Sequence, residues 1–152
     1  MDLERLDSDG ARRQAYVEAA LAALGVNLAE ATIMRASPQG EEKWELWIAT
    51  DLGLIVATHD PGRGEIGPHA SLRVSEVTPW DSVGPLTATA TTTRWERSGI
   101  GTELKVAFHG RDFTIEIGPG ARDDFGQAAF FQACLTRHVT QRGALGRGLT
   151  GG

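Results

Sequence analysis

The chain reads as an α+β protein, with an N-terminal helix, about seven antiparallel strands bent into a barrel or sandwich, and a closing C-terminal helix. Three observations predict this. Apolar and polar residues alternate with period two over most of residues 43 to 117, as half-buried strands require. Segments with helical spacing flank that stretch on both sides. A run of strands between terminal helices favours an antiparallel α+β domain over a doubly wound sheet.

The elements follow in order. Met1 to Gly10 is acidic and reads as a flexible lead. Ser8, Asp9 and Gly10 offer N-cap chemistry for a helix over 11–25, with Tyr16, Val17, Ala20, Leu21 and Leu24 at helical spacing. Gly25 stands where a left-handed residue ends a helix, and the apolar stripe is assigned to the sheet. Ala31 to Ala36 is a short strand. Lys43 to Thr50 puts Trp44, Leu46 and Ile48 on one face and Glu45, Trp47 and Ala49 on the other. Asp51-Leu52-Gly53 turns it into the β-branched run Leu54 to Thr58. His59 to Ala70 holds three glycines and two prolines and is a loop. Leu72 to Val77 is a strand stopped by Pro79.

Leu86 to Trp95 carries five threonines, mostly alternating with alanine, which suits a half-buried pleat. Ile100 to Phe108 and Phe113 to Ile117 form a hairpin about His109-Gly110-Arg111-Asp112, with Phe113, Ile115 and Ile117 inward. Gly118-Pro119-Gly120 breaks the sheet, and Arg122 to Gln141 reads as the closing helix. Phe125, Ala128, Ala129, Gln132, Leu135 and Val139 would line its inner face. Residues 142–152 form a Gly-rich tail. The domain proper is therefore 31–141.

A chain of 152 residues is one domain, large enough to build a core without disulfides or a metal. Cys134 is the single cysteine, which excludes an intrachain disulfide and a multi-cysteine zinc site. The net charge of −5 repels phosphate backbones and anionic membranes, so neither nucleic acid nor an acidic lipid surface is the expected partner. Arg94, Arg97 and Lys105 make the densest basic group, diluted by Glu96 and Glu103. Only Lys43 and Lys105 are lysines, a bias that suggests a GC-rich bacterial coding sequence. Neither an apolar leader nor a run of about 20 apolar residues is present, so a cytoplasmic location is expected.

Several motifs resemble those of a known family. Thr50-Asp51-Leu52-Gly53-Leu54-Ile55, Val77-Thr78-Pro79-Trp80-Asp81-Ser82-Val83, the paired strands GTELKVAF and RDFTIEI, and the final helix resemble bacterial pleckstrin-homology-like (PH-like) domains. In that family a Thr-x-x-Gly-Leu strand start and a hydrophobic-Pro-Trp/Tyr turn recur within a seven-stranded, helix-plugged barrel. The resemblance spans roughly Ala31 to Val139 and implies that fold. It implies no particular activity, because such a fold hosts unrelated functions. Phosphoinositide-binding members carry basic residues on and after the first strand. Arg35 to Lys43 here includes Glu41 and Glu42, which disfavours a polyanionic headgroup.

No constellation of residues announces a reaction. Gly62-Arg63-Gly64-Glu65-Ile66-Gly67 has dinucleotide-site spacing, but Pro68 and a new strand follow where a phosphate-binding helix is needed. His59, Asp60 and His69 are metal-ligand types without fixed geometry, and His109 sits in a turn, so no metal and no cofactor are expected. Cys134 and His138 are neighbours on one helix face, yet a cysteine beside Phe130 and Phe131 reads as a small buried hydrophobe. Asp123 and Asp124 suit a helix N-terminus. Gly151-Gly152 ends the chain as ubiquitin-like modifiers end, but too many strands follow the first helix for a β-grasp.

Trp47, Trp80 and Trp95 fall on the outer parity or in turns, and aromatic residues are enriched at binding surfaces. The expected function is thus a non-enzymatic interaction module for a protein or peptide. Trp47, Trp80 or Trp95 would contact the partner at a sheet edge or beside the closing helix. The second reading is a small-molecule site or a small hydrolase or isomerase inside the curved sheet, with His59, His69 or His109 as acid–base groups. A homodimer through the N-terminal helix is the third.

Overall fold

The computed structural model describes residues 2–36, 43–60, 70–95, 99–118, 121–123 and 125–137, with residues 2–12, 94 and 95 described by their backbone alone. Helix α1 (Asp2–Ala23) is followed by strands β1 (Thr32–Arg35), β2 (Trp44–Ala49), β3 (Gly53–Asp60) and β4 (Ser71–Pro79). Strands β5 (Thr87–Trp95), β6 (Gly99–Phe108) and β7 (Arg111–Ile117) come next, and helix α2 covers 127–137. The strands form two antiparallel sheets, β1-β2-β3-β4 and β5-β6-β7, which share no ladder and do not close into a barrel.

Helix α1 begins at Asp2 rather than at Ala11, and runs through the expected cap at Ser8-Asp9-Gly10. The one interior glycine, Gly10, costs only about 1 kcal/mol. The expected stop is present: Gly25 has φ +89°. Val17 and Leu21 are buried against Leu46, Ile48, Ile55 and Ala57 on one face of the first sheet. Full burial of a Leu21-sized side chain contributes about 1.5–3 kcal/mol.

The opposite face of that sheet meets the second sheet and α2. Met34, Trp47, Ala49 and Leu54 pack there with Val106, Phe108, Phe113, Ile115, Phe130, Phe131 and Cys134. Trp47 is the hub, with ring centroids 5.3 Å from Phe113, 6.0 Å from Phe108 and 6.4 Å from Phe130. The first sheet is therefore covered on both faces, and the parity rule that assigned Trp47 to the outside fails because both parities of β2 are inside.

The Thr50 turn and the Pro79-Trp80 turn lie against each other. Thr50 Oγ1 donates to the Gly53 carbonyl (2.8 Å) and accepts from the Gly53 N–H (3.0 Å). The Trp80 indole N–H donates to the Thr50 carbonyl at 2.7 Å. A Cβ on Gly53 would stand 2.3 Å from the Thr78 carbonyl oxygen, so the close approach requires glycine. Between them, β3 and β4 slip register at Val56/Ala57, where Ser75 is the extra residue of a bulge and donates its hydroxyl to the Val56 carbonyl.

The β6–β7 hairpin closes on His109 and Gly110, with φ 55° and 77°, the paired positive angles of a type I′ turn. Phe113 and Ile115 face inward as expected, whereas Ile117 is exposed. Helix α2 starts later than expected. Phe125 lies in the turn before it, so the buried stripe is Phe130, Phe131 and Cys134, while Leu135 is exposed. Asp123 caps the helix by accepting the N–H groups of Ala128 and Ala129 at 2.9 and 3.0 Å. Among the described residues no helix is long and apolar enough to cross a membrane.

Candidate functional site

The aromatic surface expected from the sequence is not formed by Trp47 and Trp80. They are 2% and 4% exposed, one at the centre of the core and the other bolting down the Thr50 turn. The Trp95 side chain lies outside the described residues. Trp47 does reach the rim through its indole N–H, which donates to Glu45. Arg111 in turn donates to Glu45 at 2.6 Å and ties the second sheet to the first.

The two described histidines, His59 and His109, do not converge. His59 is 2% exposed, and Trp44, its cross-strand partner, belongs to the α1-facing layer of the first sheet. His109 contacts Trp47 edge-on at 5.4 Å and pairs with Glu76, on the side that meets the second sheet. The first sheet therefore separates them. Burial and the nearby Arg13 guanidinium lower the His59 pKa, against a smaller raising effect of Asp60. His69, His138 and the Gly62–Gly67 loop lie outside the described residues. Cys134 is 1% exposed and burial pushes its thiol up to about 12, so it is no nucleophile at neutral pH. Among the described residues no group of three or more His, Cys, Asp or Glu side chains could hold a metal ion.

Two features remain, and neither was foreseen in detail. One is the outer edge of the second sheet. Among the described residues strand β5 pairs only with β6, and every side chain from Thr87 to Thr93 is exposed, on both faces of the pleat. These seven residues are threonine and alanine, without charge or proline. Natural sheets usually protect such an edge with lysine, proline, a bulge or a covering element. The half-burial predicted for β5 fails because Thr87, Thr89, Thr91 and Thr93 lie beside the outward residues of β6, and Ala88 and Ala90 also remain open to solvent.

The other is a cationic and aromatic pocket of about 420 Å³ between α1, the β1–β2 ladder and the turn before α2. Trp44 forms its centre. The Arg35 guanidinium lies 4.1 Å from the Trp44 ring centroid and 5.2 Å from that of Phe125. The Arg13 guanidinium lies 4.3 Å over the same indole. Burial and the like charge of Arg13 lower the Arg35 pKa. A tryptophan that meets two arginines in space has no signature in a linear sequence.

No family model, curated protein or solved structure matches this chain.

Proposed function

We propose that the chain is a non-enzymatic interaction module of PH-like fold that recognises an extended segment of a protein partner along β5. The fold reading is supported by the four-plus-three strand order, the closing helix, and the contact between the Thr50-x-x-Gly53 turn and Trp80. The binding reading rests on one observation, the bare, uncharged run Thr87 to Thr93 along the edge of β5. A partner strand laid there would satisfy its outward N–H and C=O groups, the mode known as β-augmentation. The separation of His59 from His109 speaks against the hydrolase or isomerase alternative.

The test is hydrogen exchange of the β5 amides before and after addition of partner captured from the native host. The outward N–H groups of residues 87–95 should exchange fast in the free chain and gain protection in the complex. Protection elsewhere with an unchanged β5 would overturn the proposal. Protection that rises with concentration of the chain alone would identify a second copy as the partner and would equally remove the heterologous reading.

A further inference from the structure

The pocket around Trp44 is a second site, separate from the β5 edge and independent of the function proposed for it. Its wall is mainly apolar, with Val17, Ile33, Leu46 and Phe125 around the indole. Arg35 is its polar focus. The guanidinium is held against two rings, yet its Nε is buried and has no hydrogen-bond acceptor among the described residues. A guanidinium left short of acceptors carries a desolvation cost, which a ligand accepting from its terminal Nη groups would reduce.

The carboxylate on the pocket wall does not fill this role. Both oxygens of Asp123 accept backbone N–H groups of α2, so its charge is engaged in capping. Arg13 adds a second positive charge beside the same indole. The site thus combines a fixed guanidinium fork, an aromatic floor, an apolar wall and a volume within the range of small-molecule sites. A guanidinium fork matches a planar carboxylate in two parallel hydrogen bonds. Phosphate fits less well, because the remaining wall is mainly apolar and offers it few donors.

We propose that this pocket binds a small monocarboxylate with an apolar or aromatic body, its carboxylate on Arg35 and its body against Trp44, Phe125 and the Val17 face of α1. The ligand would bridge α1 to the turn before α2, joining two elements that otherwise meet chiefly through the first sheet.

The test is a titration of the full chain followed by the Arg35 Nε–H and Trp44 indole N–H resonances. Octanoate and 3-phenylpropionate are compared with their uncharged amides and with inorganic phosphate. Both acids should move the two signals saturably, with affinities at least about tenfold above those of the amides and phosphate, the loss expected for a charge-assisted hydrogen bond. Arg35→Gln should weaken acid binding by a similar factor. The comparison of acid with amide needs no variant, so it decides the matter even if Arg35→Gln fails to fold. Equal binding of acids and amides, tighter binding of phosphate, or acids that leave both signals in place at millimolar concentration would each overturn the site.

Discussion

Two edge strands show opposite treatment of the same problem. At β1 the free edge of the first sheet is closed by the turn before α2. The Arg35 N–H donates to the Phe125 carbonyl at 2.8 Å, and Gln127 donates to the Arg35 carbonyl at 3.0 Å. Gly126 lies so close that a Cβ there would be 2.6 Å from the Ile33 carbonyl oxygen. At β5 no such cover exists among the described residues, although the strand is nine residues long against four. The difference shows where the chain invests its packing. One sheet has both faces covered and an edge closed by the turn before α2; the other leaves the run Thr87 to Thr93 of its edge strand in water. An edge left bare beside one closed so tightly is better explained by use than by neglect.

The comparison breaks most severely if the closed half is emptied. Trp47→Ala removes the ring shared by both sheets and α2, and should cost about 3–5 kcal/mol in urea denaturation, the range for a buried large aromatic. A loss below about 1 kcal/mol would mean that the two sheets are not held by this cluster.

A smaller effect is expected at the motif contact. Trp80→Phe keeps most of the buried ring but leaves the Thr50 carbonyl without its 2.7 Å donor, and should cost about 1–3 kcal/mol. Thr50→Val, which removes the hydroxyl from the same turn, should be less than additive with it, since the two side chains brace one backbone. Full additivity in a double-mutant cycle would show that the two turns are independent.

The covered face also predicts a response to acid. His59 is held below its ordinary pKa of about 6.5, mainly by burial. Between that value and the lower folded-state value, the unfolded chain binds a proton that the folded chain refuses. Stability from this group is thus present above about pH 6.5 and is lost as pH falls toward the folded pKa. His59→Gln should flatten the fall in melting temperature over that interval. Parallel pH profiles for the two proteins would place the acid response elsewhere.

Much of the fold was legible because its signals are local. The period-two runs, the His109-Gly110 turn and Gly25 each depend on a few neighbouring residues, and each appears in the structure. What failed depends on what lies across the chain. Parity placed Trp47 outside because a strand covered on both faces gives the same alternation as one covered on a single face. Counting α2 from Phe125 shifted its inner stripe off Phe130 and Phe131. The pocket was unreadable for the same reason: Arg13, Arg35 and Phe125 come from three separated segments that meet only after α1 and α2 pack.

The smallest expected effect on stability sharpens the comparison most. Thr91→Lys combined with Thr93→Lys places two charges on the bare edge, opposite Glu103 and Gly101 of β6. The first gains an opposite-charge cross-strand neighbour and the second meets no side chain, so stability should move by no more than about 0.5 kcal/mol. Charged side chains on an edge nevertheless block strand addition. Partner capture should therefore be lost while the urea midpoint stays in place. Carboxylate binding at Arg35, on the face of the first sheet away from this edge, should be untouched. A variant that still captured its partner with unchanged affinity would leave β5 as an edge that is simply exposed. One that lost both partner and carboxylate would instead show that the two sites communicate through the core around Trp47.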